Sequence, residues 1–177
     1  MLWLIVPLSL LVAQMQFHYG YQGLEVGKQV LLKVNLSETA LPKESKPSIT
    51  ITSPDELEID IPPVWIPVTN EMVWRMTPKA QGNFSIKIEV NDEITTKSVA
   101  VSKSVVRRSP YRIKGFWNQL LYPAEPPLTG NSISSITITY PNSNIGLLGF
   151  ETHWMVFYFL MSIVFAFLFK RPFGITL

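Results

Sequence analysis

The stretch WRMTPKAQGNFSIKIEVNDEITTKSVAV, residues 74–101, decides the fold class. In FSIKIEV, Phe84, Ile86, Ile88 and Val90 fall on one face and Ser85, Lys87 and Glu89 on the other, the period of a half-buried strand. Just upstream, Met72, Trp74 and Met76 alternate in the same way. Downstream, Asn91-Asp92-Glu93 supplies a short turn into another strand.

The alternation continues toward the N-terminus. VLLKVNL puts Val30, Leu32, Val34 and Leu36 together, SITIT pairs Ile49 with Ile51, and LEIDI sets Leu57, Ile59 and Ile61 against Glu58 and Asp60. These runs recur at intervals of about ten residues, separated by the breakers LPKESKP, TSPD, IPPVWIPV and TPKAQGN, as in an antiparallel sandwich. No helical period of useful length intervenes, and the 14 prolines suit loops and strand edges. The Trp-bearing strand, Pro78, the Gly before Phe84 and the hairpin resemble the penultimate hairpin of immunoglobulin-like domains. That resemblance implies a sandwich of this general shape over residues 18–101, without the Cys pair of antibody domains, since the chain has no cysteine.

Absence of cysteine also excludes a disulfide framework, thiolate metal sites and a Cys nucleophile. Charge is unevenly spread. Met1 to Leu24 and Trp154 to Phe169 carry none, while residues 25–153 hold all 13 acidic residues and 13 of the 15 basic ones. The central segment is thus neutral, and Lys170 and Arg171 account for the net charge of +2, which is not a nucleic-acid-binding balance.

The uncharged ends read as membrane helices. Trp154 to Phe169 gives 16 residues, about 24 Å of helix, and adding Leu147 to His153 reaches the roughly 30 Å of a bilayer core. A span over 147–169 places Glu151, His153 and Trp154 at one interface and Lys170 and Arg171 at the other, with 170–177 as a cytoplasmic tail by the positive-inside rule. At the other end, Leu2 to Val12 has the hydropathy of a signal peptide, but no cation precedes it, and Leu11-Val12-Ala13 is a poor cleavage site. Residues 1–17 are therefore expected to remain as a transmembrane helix whose natural beginning precedes Met1, leaving through His18, Tyr19 and Tyr21 at the interface. Residues 18–150 then lie on the extracytoplasmic side.

Between the sandwich and the second apolar run, residues 102–132 form a basic, Pro-rich segment with no acidic residue between Glu93 and Glu125. Lys103, Arg107, Arg108, Arg112 and Lys114 are its candidate lipid or partner contacts, and a linker or partner contact is favoured over lipid because Asp55, Glu56, Glu58 and Asp60 offer an internal acidic counterpart. SISSITITYP supplies one more strand over 133–141, with Ile136, Ile138 and Tyr140 on one face, returning to the sandwich.

Catalytic residues are few. His18 and His153 are the only histidines, and with Glu151 they compose at most a small metal or proton site; interfacial anchoring is the stronger reading. No phosphate-binding glycine loop, nucleophile elbow, zinc motif or cofactor signature occurs.

VPLSLLVAQMQFHYGYQGLEVGKQVLLKV (6–34), the Trp74 hairpin, NQLLYPAEPPL (118–128) and ETHWMVFYFLMSIVFAFLFKRPFGITL (151–177) together resemble the C-terminal part of an uncharacterised family of bacterial integral membrane proteins. The resemblance implies the bacterial inner membrane, further helices before the segment seen here, and no catalytic residue. That layout is loosely similar to the YidC/Oxa insertase superfamily, which implies a subunit of a membrane-insertion or transport machine as the second expectation. The first is a non-enzymatic membrane protein: an Ig-like antiparallel β-sandwich, flanked by N- and C-terminal transmembrane helices, that meets the bilayer and other envelope proteins rather than a nucleic acid or small-molecule substrate.

Overall fold

A computed structural model describes residues 3, 5–40, 47–147 and 150–170. The chain divides into two compact units, Met1–Pro141 and Asn142–Leu177. The fold is mainly β, and every strand pairing is antiparallel.

The first unit opens with helix α1 (Ile5–Tyr19), followed by β1 (Val30–Leu36), a 3-10 turn at Glu38–Ala40, β2 (Ile49–Thr52), β3 (Leu57–Ile59), β4 (Val64–Ile66) and β5 (Glu71–Pro78). It continues through β6 (Gly82–Val90), β7 (Glu93–Val101), β8 (Tyr111–Ile113), the short helix α2 (Phe116–Leu121) and β9 (Ile133–Ile138). The larger sheet runs β3-β5-β1-β9-β8, with β4 also on β5; the smaller runs β2-β6-β7.

Alternation decides which face of each strand is buried. β1 buries Val30, Leu32, Val34 and Leu36, and register places Leu32 opposite Trp74 on one side and Ile138 on the other. From the smaller sheet come Ile86, Ile88, Val90, Val99 and Val101, which join Leu32, Met72, Trp74, Met76, Ile136 and Ile138 in one apolar core. Two antiparallel sheets thus bury their apolar faces together, as in a sandwich. The quoted stretch is split between them: Trp74 stays in the larger sheet, and beyond Pro78 the chain crosses to the smaller one.

The β6–β7 hairpin has the longest ladder, Gly82↔Val101 through Val90↔Glu93. Its two-residue loop holds Asn91 at φ 48° and Asp92 at φ 65°. Positive φ at both central residues defines a type I′ turn, whose twist matches that of the flanking strands, and Asn and Asp tolerate it better than other non-glycine residues.

Three expectations are corrected. IPPVWIPV is not only a breaker, because Val64, Trp65 and Ile66 form β4 along Val73, Met72 and Glu71. Residues 102–132 are not a solvated linker: β8 extends the larger sheet through Tyr111↔Thr137, and Arg108 and Ser109 are buried. Helix does not fill 147–169, since β10 (Asn144–Leu147) and β11 (Phe150–His153) make a hairpin, and α3 (Trp154–Lys170) begins only after it. The polar residues Asn144, Glu151, Thr152 and His153 pair across that ladder, which suits a strand partnership better than a helix in lipid.

The flanking helices are consequently short. α1 has 15 residues and α3 has 17, about 22 and 25 Å against a hydrocarbon core of about 30 Å. Among the described residues no helix is long and apolar enough to cross a membrane. The expected tail beyond Lys170, including Arg171, lies outside the described residues.

Candidate functional site at the end of the first helix

The basic segment after β7 carries a dense set of polar contacts among the described residues of the first unit. β7 is an edge strand of the smaller sheet, and an edge leaves backbone groups unpaired. Residues from outside the sheet cover them. Glu125 Oε1 accepts from Ser98 N–H at 2.7 Å, Tyr140 Oη accepts from Ala100 N–H at 2.9 Å, Leu24 N–H donates to the Ala100 carbonyl at 3.2 Å, and Arg112 donates to the Thr96 carbonyl.

Lys97 is enclosed beneath this cover. It alternates in phase with Val99 and Val101, so the strand directs it inward, and its side chain has no exposure. Its ammonium donates to the Ser109 carbonyl at 2.6 Å, to Ser109 Oγ at 2.8 Å and to Glu125 Oε2; the Ser109 hydroxyl in turn donates to Glu125. All three donors of the ammonium are used, which is what burial of such a charge requires. Burial pulls the Lys97 pKa down to about 8 against the opposing pull of Glu125. For Glu125, burial acts upward, but the Lys97 charge and the bonds from Lys97, Ser109 and Ser98 outweigh it and leave the carboxyl below its ordinary value. The more enclosed partner carries the larger desolvation cost.

A serine hydroxyl 2.8 Å from a buried lysine is also the contact by which a lysine base activates a nucleophile. Here the same ammonium is held by Glu125, and Lys97 and Ser109 are both shut from solvent, so a substrate carbonyl has no approach. The geometry supports a fastening role: it ties β7 to the segment 109–125.

Arg108 fastens the helix. Only 3% exposed, it donates through Nη1 to the Tyr21 carbonyl at 2.8 Å and the His18 carbonyl at 3.5 Å, and through Nη2 to Ser104 at 2.6 Å and Ser102 at 3.2 Å; its backbone N–H reaches the Phe17 carbonyl at 2.8 Å. The last carbonyls of a helix lack partners of their own and carry the negative end of its dipole, so a cation there is doubly favoured. Phe17 is buried beside Tyr21 and Tyr122, with ring centroids 6.3 and 6.0 Å away, and Tyr122 packs edge-on to Tyr111 at 5.4 Å. Gly23 allows the backbone to approach closely here, because a Cβ would stand 1.8 Å from the Ser102 carbonyl oxygen.

The other expected contacts separate. Lys103 and Arg107 are exposed, and Arg107 donates to the Pro123 carbonyl. Arg112 and Lys114 are half-buried; Arg112 also donates to Pro126 at 2.9 Å. Arg108, being buried, offers nothing to lipid or partner. The anticipated acidic counterparts are engaged elsewhere, Asp60 with Arg75 at 3.8 Å and Glu58 with Lys79 at 3.4 Å, both exposed pairs of small energetic weight. Glu125, which sequence reasoning did not single out, is the acidic partner that matters.

His18 and Tyr19 are exposed at the end of α1, and Tyr21 is half-buried just beyond it. In the second unit Glu151 and His153 are exposed on β11, Trp154 starts α3, and Lys170 ends it. His153 Nδ1 accepts from Met155 N–H at 3.3 Å. Among the described residues no group of three His, Cys, Asp or Glu is placed to hold a metal ion. Compared with known proteins, the chain matches no family model and no curated protein.

Proposed function

We propose that the chain is a non-enzymatic integral membrane protein that holds its β domain on the extracytoplasmic side of a bacterial inner membrane, where the domain contacts other envelope proteins. The observation that carries this proposal is the exposed apolar surface of α1 and α3. Ile5, Val6 and Leu8 of α1 and Phe159, Ile163 and Phe167 of α3 are all more than half exposed. Apolar residues surround both helices, with no polar stripe to face water. A helix that is hydrophobic all round is at home in a core or in lipid, and large exposed apolar patches are rare on monomers in water.

The lengths of α1 and α3 fit a bilayer that thins locally, with the interfacial residues at their ends making up the difference. Lys170 at the end of α3, followed by Arg171, supports a cytoplasmic C-terminus by the positive-inside rule. Arg108 supports a rigid mount, because it joins the end of α1 to the domain rather than leaving a free tether. Fractionation of cells making the full chain tests the proposal. The chain is expected in the membrane pellet after alkaline carbonate washing; its release into the supernatant overturns the reading.

A further inference from the structure

Helix α2 has its polarity inverted for a domain in water. Its sequence FWNQLL places Phe116, Trp117, Leu120 and Leu121 within one helical sector and Asn118 and Gln119 on the opposite side. The apolar sector faces outward: Phe116 is 75% exposed and Trp117 74%, with Leu121 also exposed, whereas Asn118 and Gln119 are half-buried. Asn118 is turned back onto its own turn, its Nδ2 donating to the Lys114 carbonyl at 2.7 Å. No residue of α2 is buried, so core packing does not account for four large apolar side chains in six positions.

Location supplies the second observation. α2 packs beside α1, and Tyr122, immediately after α2, rests against Phe17 near the end of α1. The loop carrying Lys103, Val105 and Arg107 is fixed to the same end, because Arg108 binds the Ser102 and Ser104 carbonyls together with that of Tyr21. Val105 is 65% exposed, and Lys103 and Arg107 are exposed beside it. Outward aromatic and aliphatic side chains and two cations are therefore carried by the two segments, α2 and the loop 102–107, that are joined to the end of α1.

We infer that α2 is an interfacial foot, whose Phe116, Trp117, Leu120 and Leu121 enter the headgroup region of the leaflet that α1 penetrates, while Lys103 and Arg107 meet anionic phospholipid headgroups. Trp and Phe with neighbouring cations are the side chains that suit this boundary, where one end of a ring is apolar and the other wet. The foot rests on the membrane reading above and deepens it: the domain is seated on the bilayer surface at a fixed height, held by α1 and by α2 beside it.

The chain has no native cysteine, so a single probe is clean. The full-length Trp117→Cys variant, labelled with an environment-sensitive nitrobenzoxadiazole, is reconstituted into vesicles of phosphatidylcholine and phosphatidylglycerol, with Ser85→Cys on the exposed face of β6 as the water-facing reference. The foot predicts a blue-shifted emission at position 117, quenching by lipids with a shallow nitroxide, protection from aqueous iodide, and none of these at position 85. Lys103→Gln, or omission of phosphatidylglycerol, is expected to reduce the shallow quenching several-fold. A chain that floats with the vesicles while position 117 remains as iodide-accessible as position 85 overturns the foot and leaves the membrane reading standing. Iodide protection without lipid quenching also overturns it, in favour of a protein partner on α2. A chain that does not float overturns the membrane reading itself, and the foot with it.

Discussion

Arg108 Nη1 lies 2.8 Å from the carbonyl oxygen of Tyr21, a residue 87 positions earlier in the chain. One guanidinium thereby closes the end of α1 and pins it to the loop after β7. The Arg108→Met variant keeps much of the side-chain volume but leaves the Tyr21, Ser102 and Ser104 carbonyls without their donor. A loss on the order of 2–4 kcal/mol is expected. Hydrogen exchange should accelerate at residues 17–22 and 102–104 and not in β1 or β9. Unchanged exchange at the helix end would show that the clamp does not hold it.

Lys97 and Glu125 are fastened to each other inside the cover of β7, so removing either strands the other. Lys97→Met alone is expected to cost about 3–5 kcal/mol, and Glu125→Leu a similar amount. The double variant should cost clearly less than their sum, because no lone charge remains buried. Chemical denaturation of the four forms measures this, and additive costs would contradict a coupled pair.

Acidification should weaken the fold through Glu125. Its folded pKa lies below the unfolded value of 4.5, so between the two the unfolded chain binds more protons, and stability falls as pH drops through that window. Glu93, which accepts from Asn131 and Ser132 N–H at 2.8 and 2.9 Å, shifts in the same direction and adds to the slope. At alkaline pH Lys97 acts in the same sense: with a folded value of about 8 against 10.5, the unfolded chain again binds more protons, and its contribution grows as pH rises between them. Buried Tyr140, raised to about 12, opposes it above pH 10. Denaturation midpoints against pH should show the acid limb flattened in Glu125→Gln and the rise above pH 8 missing in Lys97→Met. An acid limb unaltered by Glu125→Gln contradicts the assignment.

The β6–β7 turn offers a gain in stability. Asp92 sits at φ 65°, which glycine adopts without the cost borne by a Cβ. Asp92→Gly is expected to stabilise the domain by about 1 kcal/mol or less, and Asp92→Val to destabilise it, since a β-branched residue tolerates positive φ poorly. A thermal melt of the two variants checks both directions, and a shared downward shift would mean that the turn is not type I′ in solution.

Period two made the core strands readable. Val30 to Leu36, Met72 to Met76 and Ile86 to Val90 bury the side chains that their alternation assigns to one face, and Phe84 is half-buried against the same core. β4 and β8 were hidden because each is three residues long, and β4 also sits between Pro62-Pro63 and Pro67, which read as breakers. The β10–β11 hairpin was obscured by the apolar run that follows it, which invited extension of the helix backward to Leu147. At the site, the phase of ITTKSVAV already places Lys97 with Val99 and Val101, a signal visible in the sequence. Its partners Ser109 and Glu125 lie 12 and 28 positions away and are joined to it only by the tertiary path of the segment over the edge of β7. Arg108 looked like one more surface cation among five, since nothing local distinguishes it from Arg107.

The central claim is that apolar helices hold this β domain outside a membrane, and labelling of introduced cysteines tests it most directly. Ser85→Cys, on the exposed face of β6, and Thr176→Cys, beyond α3, are treated separately in intact cells with a membrane-impermeant maleimide. The account predicts that Ser85→Cys is labelled in intact cells and Thr176→Cys only after permeabilisation; labelling of Ser85→Cys only after permeabilisation would contradict it.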